Sequence, residues 1–204
     1  MTVRIKWCGF TRPEDVRTAV ALGVDAIGLN FARGPRRIDL EQGAALAALV
    51  PPFCAATALF LDATEDAILA AMARTRCSVV QLHGAEPPEL AAALARRFPV
   101  VKAFAIRTAA DLDAVVGYPA DAYLLDAAVP GQAGGTGVAW DHHLLRGRDL
   151  GRPVVLAGGL GPDNVAAAVA AVAPFAVDAA SGIESAPGLK DAGRMAAFVR
   201  ALRG

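Results

Sequence analysis

Two side chains of this 204-residue chain combine reactive types with a suggestive placement: Cys8 closes the run Val3–Cys8, and Asp126 closes the run Ala122–Asp126. A desolvated carboxyl keeps its proton near neutral pH and serves as an acid toward an oxygen. A thiol beside a cation loses its proton and serves as a base toward a C–H, and Lys6 lies two positions before Cys8. Taken singly, each has a plainer role: a lone Cys is commonly a small buried apolar residue, and a strand-end Asp can cap or pair with a basic residue. A second chemistry is carried by glycine. Ala157-Gly158-Gly159-Leu160-Gly161 and Ala180-Ser181-Gly182-Ile183-Glu184 each follow an apolar run. Gly lets backbone amides approach an anion closely, and a helix N-terminus adds free donors. Alone a Gly-Gly turn only permits a tight bend; as a pair these loops make Gly158, Gly159, Ser181 and Gly182 candidate phosphate-binding residues.

These groups work together only if the chain brings them to one place. Apolar, β-branched runs read as strands over Val3–Cys8, Asp25–Asn30, Ala55–Leu61, Ser78–His83, Val100–Ala105, Ala122–Asp126, Pro153–Ala157 and Phe175–Ala179. Ala-rich stretches with helical spacing lie between and after them: Pro13–Leu22, Leu40–Leu49, Glu65–Arg74, Pro88–Arg97, Ala109–Val116, Trp140–Arg146, Pro162–Val172 and Leu189–Leu202. Helix starts are signposted by Thr11 through Glu14, by Thr64, by Thr108 with Asp111, and by Gly161-Pro162. Alternating strand and helix means a parallel sheet under helices. A doubly wound sheet usually has fewer units, and no G-x-G-x-x-G follows the first strand. The expected fold is therefore α/β, a single (β/α)8 TIM barrel over residues 1–204 with an eight-stranded parallel core.

Side chains alternate across each strand. In the first strand Val3, Ile5 and Trp7 should meet the helices, which turns Arg4, Lys6 and Cys8 inward. The same alternation puts Asn30, His83 and Lys102 inside, with polar groups near the C-terminal strand ends, where barrels keep their chemistry. In a closed ring the sixth, seventh, eighth and first strands are neighbours. Asp126 and Cys8 then flank the phosphate loops from opposite sides. Gly134-Gly135-Thr136-Gly137 lies in a long loop after the sixth strand, either a plain flexible connection or one that folds over a ligand.

Composition narrows the partners. Twenty Lys plus Arg balance 20 Asp plus Glu, which argues against nucleic acid and against a basic membrane-surface protein. Cys8, Cys54 and Cys77 form no CxxC and no even set, so neither a disulfide framework nor a structural metal is expected, and reduced thiols fit the cytoplasm. No signal peptide is visible. The uncharged stretch between Glu41 and Asp62 is cut by Pro51-Pro52 and reads as a helix end, a turn and a buried strand rather than a membrane span.

Lys6-Trp7-Cys8-Gly9, Gln81-Leu82-His83-Gly84, Leu125-Asp126 with Gly134-Gly135-Thr136-Gly137, Ala157-Gly158-Gly159-Leu160 and Pro174-Phe175-Ala176-Val177-Asp178 occur in an order and spacing that resembles the phosphoribosylanthranilate isomerase family of tryptophan biosynthesis, over nearly the whole chain. The resemblance implies a (β/α)8 barrel running an Amadori rearrangement of N-(5-phosphoribosyl)anthranilate without metal or organic cofactor. It implies Cys8 as general base and Asp126 as general acid. It also implies Arg36 at the anthranilate carboxylate, with Arg37 adjacent, and His83, Gly135 and Asp178 as further substrate contacts. Monomer and homodimer are both compatible with it. Three positions depart from the family pattern: Trp7, His142, and Ala180 where a Ser is frequent, which removes a hydroxyl from the phosphate site. Three rivals remain. A histidine-pathway isomerase would need a second phosphate loop near Asp62-Ala63-Thr64-Glu65, which is acidic. A Schiff-base aldolase would use Lys102 or Lys6. A non-catalytic sugar-phosphate binder would not need Cys8 and Asp126 together.

Overall fold

In β1 (Arg4–Cys8) every second side chain is large and apolar, and the strand obeys that pattern. Ile5 and Trp7 are fully buried beneath the helices, while Lys6 and Cys8 turn into the barrel. The same logic repeats in β2 (Ala26–Asn30), β3 (Ala55–Phe60), β4 (Val79–Leu82), β5 (Val100–Ile106), β6 (Ala122–Ala127), β7 (Val154–Leu156) and β8 (Ala176–Ala179). The computed structural model describes residues 2–127 and 142–204. Within them each strand pairs in parallel with the next, and β8 pairs back onto β1, so the sheet closes into an eight-stranded barrel. The expected (β/α)8 architecture is what is found.

Seven α-helices lie among the described residues: α1 (Pro13–Ala21), α2 (Leu40–Ala47), α3 (Glu65–Thr75), α4 (Pro88–Ala95), α5 (Ala109–Asp113), α6 (Val165–Val172) and α7 (Ala192–Arg203). Their apolar faces meet the outward faces of the strands. Trp7 packs edge-to-face on Phe198 of α7, with ring centroids 5.8 Å apart, so the departure at Trp7 concerns packing and leaves the interior chemistry alone. Burying one such side chain contributes about 1.5–3 kcal/mol. Inside the barrel, Ala103, Leu124, Val155 and Ala176 of β5 to β8, with Ala157 just after β7, form a separate apolar cluster. Lys6, Gln81 and Asp178 add buried polar groups to the interior, whereas Lys102, in register with the outward Leu82 and Tyr123, points away from the barrel interior where it was expected and is buried beside Phe104 and Tyr118. The stretch that imitated a membrane span is indeed α2, a turn and β3; no helix among the described residues is long and apolar enough to cross a membrane.

Four further sequence expectations need correction. Thr11 does not cap α1. Its hydroxyl donates to the Gly188 carbonyl at 2.6 Å, and Arg12 takes the N-cap position. The helix expected from Pro162 starts at Val165, because Asn164 is drawn into the preceding turn by bonds with the Gly161 amide (2.8 Å) and the Gly159 carbonyl (2.9 Å). The sixth unit shows a 3-10 turn over His142–Leu145 in place of the Trp140–Arg146 helix; Trp140 and Asp141 lie outside the described residues. The last helix begins at Ala192, capped by Asp191, which accepts the Arg194 amide at 2.8 Å. Leu189 belongs instead to a short hairpin of β9 (Glu184–Ala186) and β10 (Leu189–Lys190), turned at Pro187-Gly188 with Gly188 at φ +82°. Thr64 and Asp111 do the work expected of them: Thr64 accepts the Ala67 amide, and Asp111 gathers the amides of Arg107 and Thr108.

Candidate active site

Parallel closure puts every strand's C-terminal end at one mouth, and one cavity there is lined by Cys8, Arg36, His83, Asp126, Gly158, Gly159, Asp178 and Ser181. These are nearly all the residues singled out in the sequence. Gly135 lies outside the described residues. Gly182 does not line the cavity: a Cβ there would collide with the Leu160 carbonyl, so its place is to let the loops after β7 and β8 pack together. Arg37 is exposed and does not line the cavity; Arg36 does, and so does Arg33, an exposed arginine that the sequence reading did not single out.

Cys8 stands opposite Gly28 of β2 in the parallel register. A Cβ at position 28 would sit 2.6 Å from the Cys8 sulfur, so Gly28 makes the room that the thiol occupies. Lys6 does not act as the expected free cation beside this thiol. Its ammonium lies 3.0 Å from an Asp178 oxygen, although off the hydrogen-bond direction. Burial opposes the Lys6 charge, but Asp178 and Cys8 outweigh it and hold the Lys6 proton above the ordinary lysine range. Burial also dominates at Cys8 and pushes the thiol up; Lys6, Lys190 and Arg36 pull it back without overcoming the desolvation. The expectation of a thiolate made simply by a neighbouring lysine is therefore corrected: in the free protein the thiol holds its proton.

Asp126 is the penultimate residue of β6, on the far side of the glycine loops. One of its oxygens accepts the Ala127 amide at 2.8 Å, and the other lies 3.9 Å from His83 Nε2. The Gln81 side-chain amide donates to His83 Nδ1 at 2.9 Å, so the imidazole proton sits on Nε2, facing Asp126. Burial and the charges of Lys6 and Lys102 press the His83 pKa down to about 4, so this ring is neutral at neutral pH.

Gly158 and Gly159 have φ of +91° and +64°, left-handed values that glycine adopts without strain. The turn is fastened from behind by Asn164, which leaves the two glycines facing the cavity next to Ala180 and Ser181. The loops after β3 and β4 differ in kind. Glu86 accepts the Gly84 amide (2.9 and 3.0 Å) and the Asp62 amide (3.0 Å), so those donors are already engaged. These loops also carry the carboxylates of Asp62, Glu65, Asp66 and Glu86, a poor setting for the second phosphate of a two-phosphate substrate. Lys102 donates to the Gly84 and Ala103 carbonyls and to Glu86 and does not line the cavity that a Schiff-base substrate would enter.

Sequence reasoning passed over two buried residues of this site. Glu184 is bound by Arg36 through Nε (2.9 and 3.2 Å) and Nη2 (2.6 Å), and by Lys190 at 2.8 Å. Burial resists ionisation of Glu184, but its bonds to Arg36 and Lys190 prevail and hold its proton affinity below the usual carboxylate range. Gly9, at φ +82°, lets the Arg36 side chain lie across the backbone where any Cβ would collide with it. The signal for Glu184 was in plain view at the end of the eighth-strand loop; that for Lys190 was hidden by its assignment to a helix.

Fold and cavity together define a (β/α)8-barrel enzyme of the isomerase class. The profile of the N-(5'phosphoribosyl)anthranilate (PRA) isomerase family matches residues 5–201, and the chain belongs to that family. A relative from Geobacter sulfurreducens, named N-(5'-phosphoribosyl)anthranilate isomerase, is 43% identical over 203 residues, spanning 99% of each chain. The crystal structure of phosphoribosyl anthranilate isomerase from Thermotoga maritima superposes with a TM-score of 0.93 at 37% identity, over 99% of both chains. A further structure, a phosphoribosyl anthranilate isomerase in complex with reduced 1-(o-carboxyphenylamino)-1-deoxyribulose 5-phosphate, superposes at 0.90 with 35% identity over 99% of both chains.

Proposed function

We propose that this chain converts N-(5'-phosphoribosyl)anthranilate to 1-(o-carboxyphenylamino)-1-deoxyribulose 5-phosphate, with Asp126 as the acid and Cys8 as the base. The observation that carries the assignment is their placement. Asp126, one residue before the end of β6, and Cys8, at the end of β1, stand on opposite sides of the glycine loops of β7 and β8 and line one cavity with them. A phosphate seated against Gly158, Gly159 and Ser181 leaves the sugar carbons between carboxyl and thiol. Arg36 keeps Nη1 free of hydrogen bonds to the described residues, and a guanidinium edge suits the anthranilate carboxylate. Asp178 contributes through Lys6, which it fixes beneath the thiol.

In the first step Asp126 protonates the ring oxygen, the C1–O bond breaks and the ring opens to an iminium. Cys8 as thiolate then removes the C2 proton, and the C2–H electrons move toward the iminium to give an enolamine. The enolamine takes a proton at C1 and releases the C2 hydroxyl proton as it becomes the ketone, so no net proton is consumed. At the end of one turnover Cys8 holds the proton taken from C2 and Asp126 has lost one, so a proton passing from Cys8 back to Asp126 restores the working pair of thiolate and carboxylic acid. A thiol raised by burial is compatible with this scheme, because the proton needed by Asp126 is the one that Cys8 gives up. The iminium formed in the first step adds a positive charge close to the sulfur and favours the thiolate further.

Turnover of substrate generated from anthranilate, followed by loss of its fluorescence, tests the roles. General acid–base groups contribute about 10²–10⁴-fold, so Cys8→Ala and Asp126→Asn should each lower kcat by at least that order with unchanged thermal unfolding. Near-normal kcat in either variant removes that residue from its role.

A further inference from the structure

The hairpin β9–β10 delivers one lysine to the wall of the barrel directly behind the thiol. The Lys190 side chain has no solvent exposure. Its ammonium donates to the Cys8 carbonyl at 2.5 Å, to Glu184 at 2.8 Å and to the Ala180 carbonyl at 3.3 Å. Its own amide donates to Asp15 at 3.2 Å, and Arg12 clamps that carboxylate with two bonds. Such burial of an ammonium is a poor way to gain stability, since an apolar residue of similar size packs as well or better. The position of this one, against the main chain of the base, supplies another reason for it.

We propose that Lys190 is a positioning residue for the base: it pins the end of β1 through the Cys8 carbonyl and supplies the surplus positive charge that favours the thiolate. This inference rests on the reading of Cys8 as the base. The charged groups facing Cys8 are Lys6 from its own strand, Asp178 from β8, Arg36 from the loop after β2, and Lys190 from β10, with Glu184 of β9 behind the last two. Arg33 and Asp126 line the cavity farther off and are not among the charges that act on the thiol, so in its immediate surroundings three cations stand against two carboxylates. Lys6 is matched by Asp178, and Arg36 and Lys190 share Glu184. His83 is neutral and does not alter this balance. The surplus of one positive charge is what a buried thiolate needs. Because Lys190 reaches the backbone rather than the sulfur, it steadies the base without competing for the proton.

The test reads the thiol directly. Alkylation of Cys8 by iodoacetamide is followed against pH, with Cys54 and Cys77 separated by peptide mapping, in the unaltered chain and in Lys190→Met, Lys190→Arg and Glu184→Gln. Removing the cation should move the alkylation profile of Lys190→Met to higher pH by about one unit or more. The loss of thiolate that accompanies one unit lowers kcat at neutral pH about tenfold, with KM little changed. Lys190→Arg should recover most of both. Glu184→Gln keeps an acceptor for Lys190 but removes a negative charge, so its alkylation profile should move the opposite way, to lower pH. An unmoved profile in folded Lys190→Met, or shifts of the same sign in Lys190→Met and Glu184→Gln, overturns the proposal. If Lys190→Met fails to fold, Glu184→Gln decides: without a downward shift the proposal falls. Failure of the underlying reading looks different, because turnover would then survive in Cys8→Ala whatever the alkylation profiles do.

Discussion

Gly28→Ala tests how closely the barrel wall is fitted to the Cys8 thiol and, through it, the role proposed for that thiol. The added Cβ would stand 2.6 Å from the Cys8 sulfur, 3.0 Å from its Cα and 3.1 Å from its Cβ. Non-bonded carbon contacts settle at about 3.5–4.0 Å, so the sulfur must retreat by about 1 Å. Rotation of the thiol alone does not relieve the contact with the Cα, so the end of β1 must shift as well. A 1 Å misplacement of a reacting group costs on the order of 10²-fold in rate, which corresponds to about 2.7 kcal/mol of barrier. Overpacking of this kind destabilises by about 1–3 kcal/mol. The phosphate loops belong to β7 and β8, away from β2, so the loss should fall on kcat and spare KM. Steady-state turnover by fluorescence loss and thermal unfolding by circular dichroism measure the two effects separately. In the Cys8→Ala background the stability cost of Gly28→Ala should shrink, since the sulfur clash is gone. A folded Gly28→Ala chain with unaltered kcat would refute the reasoning, because the thiol would then have no need of the space that Gly28 leaves.

Arg36→Met should raise KM much more than it lowers kcat; an unchanged KM would move the anthranilate carboxylate elsewhere, and a loss confined to competition by inorganic phosphate would move Arg36 to the phosphate site. Gly182→Ala places a Cβ on the Leu160 carbonyl and should part the two phosphate loops, which competition by inorganic phosphate reads as weaker inhibition. The pH dependence of stability follows from His83, whose pKa falls from 6.5 in the open chain to about 4 in the fold. Between those values the unfolded chain takes up a proton that the native imidazole refuses, so the stabilisation present above pH 6.5 is lost as the pH falls toward 4, by up to about 3 kcal/mol. Denaturant unfolding at pH 7 and pH 4.5 should show a smaller acid loss in His83→Gln than in the unaltered chain; equal losses would place the titration elsewhere.

Strand identity was legible because Ile5, Trp7, Ile27, Leu29, Val80 and Leu82 repeat with period two, and that one period also fixed which side chains look inward. The pairing of Cys8 with Asp126 across the glycine loops was legible for the same reason, once a closed ring was assumed. What stayed hidden depends on partners remote in sequence. Thr11 has the spacing of a cap, yet its hydroxyl is taken by Gly188. Lys6 has the spacing of an activating cation, yet Asp178 claims it. Lys190 reads as the first turn of a helix until Pro187-Gly188 is seen to close a hairpin. Local pattern reports which face a residue takes; it is silent about which of several charged neighbours wins that residue.

The closure of β8 onto β1 has a consequence for how the enzyme comes into being. The Cys8 sulfur is carried by the first strand, while Asp178, Ser181, Glu184 and Lys190 arrive with the last strand and the hairpin behind it. A growing chain that has made seven strands holds Asp126 and the glycines after β7, but the thiol, with Lys6 and Arg36 already present, still lacks Lys190 and the loop that carries Ser181. Recovery of activity during refolding therefore reports one event, the joining of the seam between the two ends of the chain. A circular permutant cut far from that seam should regain turnover as soon as its sheet forms, whereas one cut within it should acquire secondary structure long before it acquires catalysis.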